Sequence, residues 1–246
     1  MSAKQIDLGR LVGLIVCVAL GLFAWDVAAL KPFKILVVAG HETGHAVASW
    51  LVGGSVARIT LAGNESGACL SSIPPGFFSR VVVYSGGYVG SAVIASMLLL
   101  LSFRFGLRRP MLVAASVWLL LVGIFFGRDL FTLGFCAAGA VAFGLGAKYL
   151  PEAAVGSLNL FIATFTGLYA LIDLKDDLWN GTVRAQSDAG LLAGLTPIPA
   201  IVWAFGWTVL STCIVAYGTW IALQKQEKKG TGYFFELDAK GESLEK

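Results

Sequence analysis

His41-Glu42-Thr43-Gly44-His45 is the stretch of this sequence whose residue types and spacing can do chemistry. On a helix, positions i and i+4 share a face, so two imidazoles one turn apart can grip a single metal ion. Glu42 is offset from His41 by about 100° around the helix and falls beside such an ion rather than onto it. There it can take a proton from an attacking water, the general-base role in metalloproteases. Gly44 keeps the helix slim enough for a substrate or a neighbouring helix to approach. A five-residue pattern with three fixed positions also arises by chance. Two features weigh against chance here. The chain has only two histidines, and both are in the motif. The motif also lies inside an apolar segment, where ionisable groups are rare and mark sites.

A catalytic zinc site with an open position takes three protein ligands. With no third histidine, the remaining donor is a carboxylate, and few carboxylates lie near apolar segments. Asp173 closes the run Leu158-Asn-Leu-Phe-Ile-Ala-Thr-Phe-Thr-Gly-Leu-Tyr-Ala-Leu-Ile-Asp173 and is the first candidate. Asp176 and Asp177 follow at i+3 and i+4, on the same helix face. The plain alternative for all three is a polar helix end meeting the headgroups. Asp188 is a further candidate, but Ser187-Asp188 ahead of Ala189-Gly-Leu-Leu reads more readily as a helix N-cap. Asp26, deep in the first apolar stretch, either supports the ligands or lies near the interface. Cys17, Cys69, Cys136 and Cys213 are scattered, without the close spacing of a metal knuckle or redox motif, so neither a disulfide nor a thiolate site follows.

The elements that must position these residues are membrane helices. Hydrophobic residues make up 57% of the 246 and charged ones 13%, about half the charge of an ordinary soluble domain; mean hydropathy is +0.79. That excludes a soluble enzyme, and a net charge of +3 with no basic face excludes a nucleic-acid partner. A span needs roughly 20 apolar residues, which places spans near 11–30, 33–52, 80–103, 111–127, 130–149, 153–174 and 198–222. Only Arg128-Asp129 separates the fourth from the fifth. The first lacks a cleavage pattern and is read as a retained span. Ser55 to Leu61 alternates, Ala62-Gly-Asn-Glu-Ser-Gly67 is turn chemistry, and Ala68 to Ser72 resumes, which spells a β-hairpin. The expected fold is therefore an all-α polytopic membrane protein, with six or seven transmembrane helices and a short β-hairpin between the second and third. Residues 1–224 form one integral membrane domain, with a short helix, Ala189 to Leu195, inside a polar loop. Residues 225–246 form a charged tail expected to be disordered. The positive-inside bias puts Arg104, Arg108 and Arg109 on the cytoplasmic side together with Lys225, Lys228 and Lys229. Gly86-x-x-x-Gly90 suits close helix packing. Asn64-Glu-Ser66 and Asn180-Gly-Thr182 match glycosylation acceptors by pattern alone, and Trp179, Trp203 and Trp220 include interface anchors.

This combination resembles the site-2 protease-like intramembrane zinc metallopeptidases, in particular their short, multi-pass branch. In that family a His-Glu-x-x-His helix is followed by a glycine, a hairpin dipping toward the membrane and a span rich in small residues. Here His41 to His45 is followed by Gly53-Gly54, the hairpin 55–72 and Ser85-Gly-Gly-Tyr-Val-Gly-Ser91. The resemblance covers roughly residues 33–178. It implies Zn2+ as cofactor, His41, His45 and an aspartate on a later span as ligands, and Glu42 as the catalytic base. In order along the chain that aspartate matches Asp173, although the Asn-x-x-Pro and Asp-Gly that usually surround it are missing. The implied activity is hydrolysis of peptide bonds in membrane-embedded protein substrates within the lipid bilayer. The rival reading is a non-catalytic scaffold or transporter-like protein that keeps a metal site. Glu42 favours the enzyme, because a structural site needs ligands but no base.

Overall fold

The computed structural model describes residues 5–25, 27–179 (side chains to 172) and 187–225. Helix α1 spans Leu8–Phe23 and α2 spans Lys31–Leu51. Strands β1 (Ser55–Leu61) and β2 (Gly67–Ser72) form an antiparallel pair. Then follow α3 (Phe77–Leu99) with a π-helical continuation to Arg104, α4 (Arg108–Phe126), α5 (Leu130–Tyr149), α6 (Glu152–Trp179), the short α7 (Asp188–Leu195) and α8 (Ala200–Leu223). Local chemistry sets several of these limits. Asp7 caps α1 by accepting from the Arg10 amide. Pro32 and Pro110 stand in the first turns of α2 and α4, where a missing N–H costs nothing.

Five helices are long and apolar enough to cross a membrane: α3 with its continuation, α4, α5, α6 and α8. Helices α1 and α2 meet that test only together, as one broken span bent by 117°. The stretches expected as separate spans at 11–30 and 33–52 form a bent pair, with the geometry of one broken span or of a re-entrant loop, so the described residues give five candidate spans and up to six. The reason is length. The 16 residues of α1 reach about 24 Å at 1.5 Å per residue, short of the roughly 30 Å hydrocarbon core.

The start of α1 and the ends of α3 and α8 converge. The Arg10 guanidinium donates to Ala222 O at 2.8 Å and Phe103 O at 3.3 Å, and Ile6 bridges to Gln224. Arg108 lies 5.4 Å over the Phe103 ring, and Arg109 donates to the carbonyls of Ala147 and Leu150 at the end of α5. One end of the bundle therefore gathers Arg10, Arg104, Arg108, Arg109 and Lys225, the same-side arrangement that the charge bias requires.

Helices α2 and α3 are packed more closely than side chains allow elsewhere. A Cβ on Gly44 would overlap the Gly86 carbonyl, and one on Gly90 would stand 3.0 Å from the Gly44 Cα. The Gly86-x-x-x-Gly90 pattern is thus spent on this seam. The hairpin lies along α2. Its turn is built by Asn64, whose Oδ1 accepts from the Ser66 amide and hydroxyl, so this glycosylation-like triplet serves the turn.

Candidate metal centre

On α2, His41, Glu42 and His45 are all less than a tenth exposed. The two histidine Nε2 atoms are 3.1 Å apart. The third corner comes from the first residue of α7: Asp188 Oδ2 lies 3.2 Å from His41 Nε2 and 3.1 Å from His45 Nε2. The three atoms form a nearly equilateral triangle. A tetrahedral zinc with bonds of about 2.0 Å has ligand–ligand edges of about 3.3 Å, so the triangle has the size of one tetrahedral face.

Donor chemistry leads to the same conclusion. His45 Nδ1 lies 2.7 Å from the Val83 carbonyl, which can only accept, so Nδ1 carries the proton. In the neutral ring Nε2 is then a bare lone pair. It faces a carboxylate oxygen and another imidazole nitrogen. His45 Nε2 and the Asp188 oxygen are both acceptors and repel unless a proton, such as one carried on His41 Nε2, or a metal ion sits among the three atoms. Fixing the tautomer from behind is also how metal-binding histidines are oriented. Space is reserved as well: a Cβ on Gly87 would stand 2.6 Å from His45 Nε2 and overlap the His41 ring. His41 is held differently, by the edge of the Tyr88 ring at 4.8 Å, and its buried Nδ1 has no hydrogen-bond partner.

The sequence places α7 where Asp188 can reach. Ser187 caps the helix, accepting from Gly190 N at 3.3 Å. Ala189 and Leu192 are fully buried against Tyr88, Ala204 and Trp207. Trp207 donates to Ser85 Oγ at 2.9 Å, and Trp203 to Thr196 Oγ1 at 3.3 Å. Burial works to raise the Asp188 carboxyl, and the two imidazoles overcome it and hold it well below the usual carboxylate range. Glu42 points toward the hairpin, with its Oε1 and Cγ against Gly67 and the Cys69 backbone N–H facing its carboxylate. The Cys69 thiol, pushed up to about 12 by burial and by Glu42, is not a thiolate donor.

The Peptidase M50B-like family profile matches residues 14–218. The chain belongs to that family. No curated protein and no solved structure matches it. Membership of a metallopeptidase family, together with five or more apolar helices, makes this a multi-pass membrane protein of a peptidase family.

Among the described residues, His41, His45 and Asp188 are the group able to hold a metal ion. The expected third ligand, Asp173, belongs to α6 by its backbone, but its side chain lies outside the described residues, as do those of Asp176 and Asp177. Asp26 and the Asn180-Gly-Thr182 triplet are outside them too. Sequence reasoning took Asp188 for the cap. In the structure Ser187 fills the capping role and leaves the Asp188 carboxylate to face the two imidazoles.

Proposed function

We infer that this family member is a zinc-dependent intramembrane endopeptidase, with His41, His45 and Asp188 as ligands and Glu42 as general base. In this reading Asp188 takes the place that chain order assigned to Asp173. The observation that carries it is the tight triangle of His41 Nε2, His45 Nε2 and Asp188 Oδ2 beside the buried Glu42. Bound there, zinc would supply Lewis acidity toward the scissile carbonyl and the attacking water. The rest is done by the chain. His45, tied to Val83, keeps its Nε2 aimed into the site. Asp188 contributes the negative charge that makes the three-donor set suit a dication. Glu42 takes the proton of the attacking water and returns it to the leaving amine.

The substrates are membrane-embedded protein segments. Beside the α2–α3 seam lies an apolar cavity of about 940 Å³, lined by Gly40, Thr43 and Gly44 of α2, Gly86 and Gly90 of α3, and Trp118 of α4. An apolar segment arriving from lipid could rest there. Its helix must unwind locally before cleavage, because a helical peptide bond is shielded by its own hydrogen bonds.

The test is metal analysis of the purified chain alongside cleavage of a membrane-embedded reporter. We expect about one zinc per chain, lost in His45→Ala and kept in Glu42→Gln. Turnover in Glu42→Gln should fall by about 10²–10⁴, the range for a general base. Loss of zinc in Glu42→Gln would make Glu42 a ligand, and unchanged cleavage would end the enzyme reading.

A further inference from the structure

The hairpin register says where its unpaired amides point. In an antiparallel pair alternate residues exchange ladder hydrogen bonds, and those between them send their N–H groups outward. Ala62 N donates to Ser66 O at 2.9 Å, closing the ladder at the turn. With Leu61 opposite Gly67 and Ile59 opposite Cys69, the odd-numbered residues of this stretch are the outward ones. The Leu61 amide does leave the sheet, donating to Thr132 Oγ1 of α5 at 2.8 Å. On the other edge the Cys69 amide leaves toward Glu42. Two residues along, Gly67 meets the same side chain: a Cβ there would stand 2.5 Å from Val38 Cγ1, one turn before Glu42 on α2, 2.8 Å from Glu42 Oε1 and 2.9 Å from its Cγ.

We propose that the β-hairpin is a positioning device for the general base, in which the outward amide of Cys69 holds one oxygen of the Glu42 carboxylate and Gly67 provides the room for it. The proposal rests on Glu42 being the base. A glutamate side chain has three torsions, and one oxygen fixed by a backbone amide leaves the other to face the reacting water in a set direction. A site of this kind performs only when its first residues are held by others.

A hold is worth nothing if the holder drifts, and the hairpin is tied down in three places. Leu61 is bound to α5 as above. The Ser49 and Ser71 hydroxyls are 2.9 Å apart, joining α2 to β2. At the turn, Glu65 Oε2 receives a hydrogen bond from Lys34 Nζ at 3.0 Å, with the ammonium also 4.9 Å over the Trp25 ring. Lys34 is 5% exposed, and Glu65 is the one described non-glycine residue with positive φ, at 70°. A buried ammonium and a strained backbone both cost free energy, and both are spent on keeping this turn against α2.

The experiment uses the full chain in phospholipid vesicles, with two arms. Hydrogen exchange reads the bond directly. The Cys69 amide should be protected in the wild type and in Glu42→Gln, whose side-chain oxygen still accepts, and should exchange at least tenfold faster in Glu42→Ala. Equal exchange in all three overturns the proposal. The kinetic arm uses a quenched fluorescent single-span peptide. Gly67→Ala should keep its zinc and a KM within about twofold while kcat falls at least tenfold. Unchanged kcat, or zinc lost in step with kcat, overturns it. Should Gly67→Ala not fold, the turn substitutes for it: Glu65→Ala should lower kcat a few-fold at constant zinc, and Glu65→Gln, which still accepts from Lys34, should restore it. Equal kcat in Glu65→Ala and wild type counts against the proposal. A wild-type protein that cuts nothing overturns the enzyme reading instead, and the exchange arm still decides whether the hairpin holds Glu42.

Discussion

Two helices in this protein start with the same chemistry and use it for different ends. At α5, Asp129 is the cap itself. Its backbone is extended, Oδ1 accepts from the Thr132 amide at 2.9 Å, and Oδ2 accepts from the Thr132 hydroxyl at 2.7 Å. Both oxygens are consumed, and the bonds from Thr132 hold the carboxyl below its ordinary range. At α7, Ser187 is the cap, and Asp188 stands one residue inside, in the first turn. Its carboxylate owes nothing to the helix end and is turned to His41 and His45. A shift of one residue frees an aspartate from the structural role of cap and turns its carboxylate toward two imidazoles. The Asp129 end still serves the site at one remove, since the Thr132 hydroxyl also receives the Leu61 amide of the hairpin.

The largest break between the two regions should come from the same substitution made in each. Asp188→Asn keeps shape and hydrogen bonding but removes the charge and the better metal donor. Its zinc affinity should fall by more than the 10–100-fold that a partner behind a ligand costs, read by metal analysis after dialysis and by competition with a chromophoric chelator. Wild-type zinc content in Asp188→Asn would leave the third ligand to be sought elsewhere, with Asp173 first.

The next effect is smaller and tests whether the cap frees its neighbour. Ser187→Ala removes the bond to Gly190, which for an N-cap costs about 1 kcal/mol. If that loss falls on the docking of α7, zinc affinity should drop about fivefold, since 1.4 kcal/mol is a factor of ten. Unchanged affinity would mean that Ala189 and Leu192, packed against Tyr88 and Trp207, hold the helix without its cap.

Much of this was legible in the sequence, for physical reasons. His41 and His45 announce themselves because their spacing matches the helix repeat and the chain has no other histidine. The hairpin is legible because alternation and turn residues are local, and it falls at Ser55–Leu61 and Gly67–Ser72 as the pattern implies. The bend between α1 and α2 was not, since composition counts apolar residues and does not see where a helix turns. The role of Asp188 was open in the sequence, because Ser-Asp at a helix start offers two caps and only the backbone shows that Ser187 is the one used. Gly67 and Gly87 could not have been read at all. Their value lies in contacts across the fold, with Glu42 and the two imidazoles.

The smallest effect closes the comparison from the α5 side. Asparagine caps about as well as aspartate, so Asp129→Asn should keep the bond to the Thr132 amide while losing the acceptor for the Thr132 hydroxyl and the favourable meeting of a charge with the helix N-terminus, the latter about 0.3–1 kcal/mol. Zinc content should not change. The sign with pH follows from the lowered carboxyl. Its contribution is fully present above the ordinary aspartate value of about 3.9 and fades as pH falls through the lower folded value. The melting-temperature gap between wild type and Asp129→Asn, measured in detergent, should therefore be small at pH 7 and close on acidification below about pH 4. Asp129 is half-buried, so salt should shrink the gap only in part. Should Asp129→Asn instead shed zinc as Asp188→Asn is expected to, the two helix starts would not differ in the way their hydrogen bonds indicate. The Thr132–Leu61 link would then support the metal ligands themselves and not only the hairpin beside Glu42.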